Sequence, residues 1–369
     1  MRRKNYFLQF LGFVLFAFFL AACSPEEPMV VPDDMEEEEE EEEEPPPEER
    51  TYITEEHTVG DLSIEIYVPS DYIEGTSYPT IYFNDGDFLA EVFGSWTGLE
   101  ADPFIMVGVW DTNDRATRFS AYEDDRLTEV YGEYTPGAVT YTEALINEVI
   151  PFVENKYKST KKALMGISLG GLHATWAGIY YPGEFSFIGA ISPAYWVGNH
   201  AILDESVEHL RPVGISSSKV FYLDRGTAEW RNFLPLVENL KSVELVYGQN
   251  IFYYEVVGAD HDVPFWVLRA EVPFRLFMEG PGELDDMVVT SYCVENLDVP
   301  GTEEERINPI AKYDNGVEFS VISAADFEVV TGSGEVMVDG TFTVNSGTTI
   351  SVDCSYMGIT KRVQATVCN

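Results

Sequence analysis

Six short runs of almost unbroken apolar residues constrain the fold of this chain more than any other feature. They are Thr80–Phe83, Phe104–Val109, Ala163–Met165, Phe187–Ile191, Val220–Leu223 and Phe252–Val257. A run without polar alternation, and too short for a helix, reads as a strand covered on both faces. Between several of these runs lie stretches of helical period. Tyr141–Tyr157 sets Leu145, Val149, Phe152 and Val153 near one face, with a kink expected at Pro151. Trp230–Leu240 gathers Phe233, Leu236, Val237 and Leu240, and Val263–Phe277 closes the series. Buried strands alternating with helices require an α/β layered fold about a mostly parallel sheet. An earlier segment differs. Leu62, Ile64, Ile66 and Val68 alternate with polar residues, which predicts a half-buried antiparallel strand.

The pattern changes after Pro281-Gly282. Short alternating runs follow at Met287–Val294, Val317–Ile322, Glu335–Val338, Thr341–Val344, Thr349–Cys354 and Lys361–Val367, with no long helix among them. Asp339-Gly340 reads as a tight hairpin turn. Residues 283–369 are therefore expected to form a small all-β sandwich following an α/β domain over 51–282. The segment Val338–Ile350 loosely resembles bacterial immunoglobulin-like modules. Cys293, Cys354 and Cys368 all fall in this region and allow three single bridges, between which the sequence does not choose. No histidine stands near them and their spacing is not that of a zinc site.

The N-terminus has a different character. Arg2, Arg3 and Lys4 precede an apolar stretch from Phe7 to Leu20, and Leu20-Ala21-Ala22-Cys23 resembles the lipobox of bacterial lipoproteins. That resemblance makes residues 1–22 a signal peptide and Cys23 the lipid attachment site, with the membrane engaged through the lipid anchor alone. Ser24-Pro25-Glu26-Glu27 resembles acidic signals that carry some lipoproteins of Gram-negative bacteria to the surface, so the expected location is the outer membrane, on its periplasmic or outer side. Residues 23–50 include nine consecutive glutamates, Glu36 to Glu44, followed by three prolines. A block that buries no apolar area and repels itself is read as an extended tether rather than a cation site. The formal net charge of −42 makes nucleic acid a poor partner.

Gly166-Ile167-Ser168-Leu169-Gly170 lies between the run Ala163–Met165 and a helical stretch. The five-residue pattern arises by chance in about one chain in ten of this length, so it needs partners. Strand, Gly-x-Ser-x-Gly and helix together form the context of a nucleophile elbow. A serine requires a base. His57, His173, His200 and His209 are read as structural or solvated, whereas His261 follows the last buried run in Gly258-Ala259-Asp260-His261-Asp262. The acid is expected between them, after Val220–Leu223, where Asp224 and Glu229 compete; Glu229 is favoured because a loop carboxylate can reach the imidazole. Asp260 and Asp262 are read as loop-formers. The oxyanion hole is assigned to the backbone N–H groups of Leu169 and of Asp87, the latter from the turn Asn84-Asp85-Gly86-Asp87.

With these pieces in order, residues 51–280 resemble the Putative esterase family of α/β-hydrolases, which includes enterochelin esterases, S-formylglutathione hydrolases, feruloyl and acetyl xylan esterases and mycolyltransferases. The resemblance rests on Tyr78–Gly86, on Met106–Trp110 with Arg115, on Asn147–Glu154, on Gly166–Gly171, and on Gly258–His261 with Trp266. It implies Ser168 as nucleophile, His261 as base, Glu229 as acid, and Leu169 and Asp87 as oxyanion donors. Many members carry Asp where this chain has Glu229. The implied activity is hydrolysis of a carboxylic ester without metal or organic cofactor. Acylated extracellular carbohydrate is the expected substrate, with Tyr195, Trp196 and Trp230 as candidate pocket aromatics. A siderophore esterase and a non-catalytic surface binding protein are the competing readings.

Overall fold

The computed structural model describes residues 51–86, 88–89, 102–110, 114–203, 218–229, 233–295 and 303–368. The segments expected to be signal peptide and tether, with Cys23, Asp87, His209 and Trp230, lie outside the described residues.

Strands β1 (Tyr52–Val59), β2 (Leu62–Pro69), β3 (Ser77–Asn84), β4 (Ile105–Trp110), β5 (Lys158–Ile167), β6 (Phe187–Ile191), β7 (Val220–Gly226) and β8 (Ile251–Val256) stand in the order β1-β2-β4-β3-β5-β6-β7-β8. From β4 to β8 every neighbour is parallel, and β1 and β2 run antiparallel at one side. Each of the six apolar runs becomes, or lies within a residue of, one of the parallel strands. The antiparallel strand expected around Leu62–Val68 is β2.

The strands explain why these runs are apolar throughout. Ile81 and Phe83 face one layer while Tyr82 faces the other; Met165 and Leu164 divide in the same way. With both faces covered, period-two alternation disappears. One layer is built from helices α1 (Arg115–Phe119), α2 (Asp125–Tyr131), α3 (Ala138–Ala144), α4 (Ile150–Lys156), α5 (Leu169–Tyr180) and α6 (Leu234–Lys241). Helix α7 (Val263–Met278) covers the other, burying Trp266, Ala270, Phe274 and Phe277. Helices α3 and α4 run on through a π-helical turn, Leu145–Val149. The expected perturbation at Pro151 takes this form: proline has no N–H to donate, and the ladder widens by one residue just before it.

The C-terminal region is all-β, as its alternation requires. Strands β9 (Leu284–Glu295), β10 (Glu303–Tyr313) and β11 (Glu318–Ser320) extend the central sheet to eleven strands in the order β8-β11-β10-β9. Only β12 (Asp326–Val336), β13 (Phe342–Tyr356) and β14 (Ile359–Thr366) form a separate antiparallel sheet. The sheet therefore runs across the position where the sequence changes character. Strand β10 was not expected. Its glutamates and Pro309 argue against a strand, yet Pro309 pairs with Val289, and its carbonyl accepts from Val321 N at 2.7 Å. Asp339-Gly340 lies in the turn between the paired Val336 and Phe342, with Gly340 at φ 80°. Cys293 and Cys368 are bonded, tying β9 to the segment after β14. Cys354 is buried, and burial pushes its thiol up to about 12.

A buried ionic cluster joins β9–β11 to the parallel sheet. Glu255 on β8 is fully buried and meets Arg225 Nε at 3.3 Å and Arg306 Nη1 at 3.6 Å. Tyr253 donates to it at 2.5 Å, and Tyr292 of β9 donates to its other oxygen. Burial alone would raise this carboxyl; the two guanidiniums, with the hydroxyls, hold it below its ordinary value. Ser320 Oγ accepts from Glu255 N at 2.9 Å, and Asn308 Nδ2 donates to Glu255 O at 2.9 Å.

Candidate active site

Strand β5 ends at Ile167 and α5 begins at Leu169, so Ser168 makes the whole turn. Its φ of 57° and ψ of −116° lie where a residue with a Cβ is strained. The turn is held from outside. Ser168 N donates to Ile191 O at 3.0 Å, and Ser168 O accepts from Ala194 N at 2.9 Å. The glycines are a packing requirement. A Cβ on Gly166 would stand 2.5 Å from the Gly170 carbonyl carbon, and one on Gly170 would stand 2.5 Å from Asp85 Oδ2. Leu169 N, at the first position of α5, is one of the N–H groups a helix leaves without an internal acceptor.

His261 follows β8 and precedes α7. Its Nε2 is 3.0 Å from Ser168 Oγ and its Nδ1 is 3.4 Å from Glu229 Oε2. Asp260 and Asp262 shape this loop: Asp260 Oδ1 accepts from His261 N at 2.7 Å, and Asp262 caps α7 by accepting from Val263 N at 2.8 Å. Trp266 meets the imidazole edge-on, ring centroids 4.9 Å apart. The second oxygen of Glu229 is fully engaged. It accepts from Ser192 Oγ at 2.7 Å, Gly226 N at 2.9 Å and Arg269 Nη2 at 3.1 Å. Burial alone would raise Glu229; the hydrogen bond with His261, the Arg269 guanidinium and the other two donors hold it below its ordinary value. Asp224 does not reach His261 in this arrangement. Its oxygens accept from Ser192 N and from Tyr222 OH, both at 2.9 Å, and complete burial raises its carboxyl above the usual range.

A third group of contacts fixes the elbow against β3. Asp85, at φ 59°, receives Arg115 through Nε at 2.5 Å and Nη2 at 2.8 Å, and Arg115 Nη2 also donates to Ile167 O at 3.1 Å. Asn84 Nδ2 donates to Gly170 O at 2.9 Å and to His173 Nδ1 at 3.0 Å, while its Oδ1 accepts from Tyr141 OH. His173 is fully buried, and burial lowers its pKa to about 3. It is thus a neutral strut beneath the elbow, with Nε2 beside Thr142 Oγ1 at 2.8 Å.

The sequence profile described as Putative esterase matches residues 56–269, more than half of the chain. The chain belongs to this esterase family. It is an ester hydrolase with an α/β-hydrolase fold, and its substrate is an ester. An uncharacterized protein of Bacillus subtilis, YbbA, is 24% identical over 186 residues, covering 48% of this chain and 72% of its own. Among solved structures, the BES protein from Bacillus cereus superposes with a TM-score of 0.48 at 20% identity, covering 64% of this chain and 95% of that one. The siderophore hydrolase EstA from Aspergillus nidulans gives 0.48 at 17% identity, covering 62% and 94%.

Within this esterase, Ser168, His261, Glu229 and Leu169 come together at one end of the parallel strands, while Asp87 lies outside the described residues. His57 sits inside β1, 2.9 Å from Glu55. His200 occupies a turn with φ 67°. Tyr195 is buried core with its hydroxyl 2.5 Å from Thr175 Oγ1, so it lines no pocket. Trp196 is half-buried under the Arg126 guanidinium, 5.4 Å from the ring centroid. Sequence reasoning missed Arg269 and Ser192. One signal for Arg269 was present: it stands three residues after Trp266 and one before Ala270, a cation on the face of α7 that otherwise carries core residues.

Proposed function

We propose that this esterase works by two-step acyl transfer through Ser168, His261 and Glu229. The observation that carries the reading is the unbroken chain from Ser168 Oγ to His261 Nε2, 3.0 Å, and from His261 Nδ1 to Glu229 Oε2, 3.4 Å, on a strained strand-to-helix turn. Ser168 Oγ attacks the ester carbonyl carbon as its proton passes to His261 Nε2. The carbonyl oxygen becomes an oxyanion beside Leu169 N–H, with the second donor assigned to Asp87. The carbon–oxygen bond to the alcohol breaks and His261 returns the proton to the leaving oxygen. A water then gives a proton to His261 and attacks the acyl-serine; the acyl bond to Ser168 Oγ breaks, His261 passes that proton to Oγ, and the acid leaves. Glu229 accepts a hydrogen bond from His261 Nδ1–H throughout. Its 3.4 Å contact is long for the resting state, and it tightens when the imidazole gains charge.

The substrate we propose is an acyl group decorating an extracellular glycan, and the enzyme is lipid-anchored at Cys23 and held off the outer membrane by the acidic segment 23–50. The lipobox-like LAAC and the proline–glutamate tether support this placement. A ferric catecholate, an anion, meets an acidic protein and is disfavoured at long range. A fluorophosphonate probe tests the chemistry: it should label the wild type and not Ser168→Ala, and an unlabelled wild type would overturn the triad. Release of acetate or ferulate from decorated polysaccharides, compared with cleavage of a catecholate triester, tests the substrate. Cleavage of the triester alone would overturn the glycan reading. Growth in labelled palmitate, with label lost in Cys23→Ala, tests the anchor.

A further inference from the structure

Glu229 is not alone in its buried site. Asp224 lies at the end of the same strand, and the two carboxylates are bridged twice. Ser192 gives its N–H to Asp224 and its O–H to Glu229. Arg269, 3% exposed, contacts Glu229 Oε1 through Nη2 at 3.1 Å and Asp224 Oδ1 through Nε at 3.4 Å, and its Nη2 also touches Ser192 Oγ. The other groups facing Asp224 are the neutral hydroxyls of Tyr222 on β7, Tyr195 after β6 and Tyr254 on β8. His261 faces Glu229 from the loop before α7. Arg269 is therefore the one cation among the described neighbours of both carboxylates that carries its charge at every working pH.

We propose that Arg269 is a positioning residue for Glu229, and that Asp224 is what makes it necessary. Two carboxylates in one dry site without a countercharge hold a single proton between them, because the second ionisation must be made against the first. A proton on Glu229 turns its hydrogen bond to His261 from acceptor to competitor, and the imidazole loses the orientation that points Nε2 at Ser168. With the guanidinium between them, both carboxylates stay anionic and Glu229 Oε2 stays free for His261. Arg269 touches neither substrate nor the reacting atoms; it acts through Glu229. This inference rests on the triad proposed above.

The test is a double-variant cycle of Arg269→Gln and Asp224→Asn, with kcat and KM followed on a p-nitrophenyl ester from pH 5 to 9. Arg269→Gln is expected to lower kcat at neutral pH by about a hundredfold, the scale of a small misplacement of a catalytic group caused from outside the reacting atoms. KM should change little, and the acid limb of the kcat profile should move to higher pH. Adding Asp224→Asn should recover at least about tenfold of the lost kcat and return the limb, because the competing charge is gone. A merely structural arginine would give a double variant as poor as Arg269→Gln or worse, and that outcome overturns the proposal. So does an Arg269→Gln enzyme within about threefold of wild type. If Arg269→Gln fails to fold, Arg269→Lys serves: the retained charge should leave the acid limb in place, and a limb displaced upward overturns the idea. Glu229→Ala keeps the two readings apart, since full activity there would remove the triad itself, whereas activity lost there but not in Arg269→Gln removes only this inference.

Discussion

Two buried carboxylate–arginine clusters among the described residues stand on adjacent strands, and they share out positive charge differently. At the end of β7, two carboxylates, Asp224 and Glu229, share Arg269. On β8, Glu255 is shared by Arg225 and Arg306, and Arg306 also pairs with the half-buried Glu304. In the second cluster every oxygen of the acid is taken by an arginine or tyrosine, and nothing is offered to solvent. In the first, one oxygen of Glu229 is saturated and the other reaches a histidine whose side chain is 20% exposed. A carboxylate clasped by two guanidiniums joins two parts of a fold. A cluster left short of positive charge can hold a proton-transfer group. Burial and ion pairing alone do not separate these roles; the count of charges and the open lone pair do.

The comparison can be broken at several points. The largest expected effect is at the reacting end. Ser168→Ala should reduce kcat by about 10⁴-fold or more while the melting temperature stays near wild type, since the strained serine contributes chemistry rather than packing. Next is the exchange of the two clusters. Glu229→Gln should lower kcat by about 10²–10⁴-fold. Glu255→Gln should leave kcat per folded molecule close to wild type but destabilise by about 3–5 kcal/mol, because Arg225 and Arg306 lose the buried carboxylate they share. Urea unfolding beside ester hydrolysis reads both, and a Glu255→Gln enzyme that is stable but inactive would erase the distinction.

A smaller effect is expected on the outer side of the second cluster. The Cys293–Cys368 bridge spans a sequence separation of 75. Replacing both cysteines by serine should cost about 2–4 kcal/mol with kcat unchanged, read from urea midpoints with and without reductant. Near neutral pH the smallest effect belongs to neither cluster, and it grows only as the solution is acidified. His173 titrates at about 3 in the folded enzyme against 6.5 in a free chain. The unfolded chain takes up this proton first, so stability is complete above about pH 6.5 and falls by about 1.4 kcal/mol per unit as pH drops toward 3. His173→Gln should flatten that slope; an unchanged slope would assign the acid loss to the carboxylate clusters.

What could be read from the sequence divides along physical lines. Ser168 was legible because its requirements are local: two glycines, a strand before and a helix after. Glu229 and His261 were legible because each sits on a short loop directly after a buried apolar run, and chain order supplies the rest. Arg269 and Ser192 were not, since their meaning arises only when β6, β7 and α7 meet. The C-terminal strands were legible as strands but not as a continuation of the sheet. Alternation reports that one face is wet and says nothing about which neighbour supplies the hydrogen bonds. For the same reason the three cysteines gave no pairing.

The junction at β8 has a practical side. Strand β11 meets β8 at Ser320 and Tyr253, and the side chain of Ser320 finishes the contact by taking the Glu255 amide. Without β9–β11, β8 would be a raw border of the sheet with a row of unanswered amides and carbonyls, which is a template for self-pairing. A chain ended at Gly282, where the sequence invites a cut, is thus expected to self-associate, visible as growth in light scattering with concentration. The C-terminal strands act as a selvedge: they keep the woven edge of a catalytic sheet from ravelling into its neighbours.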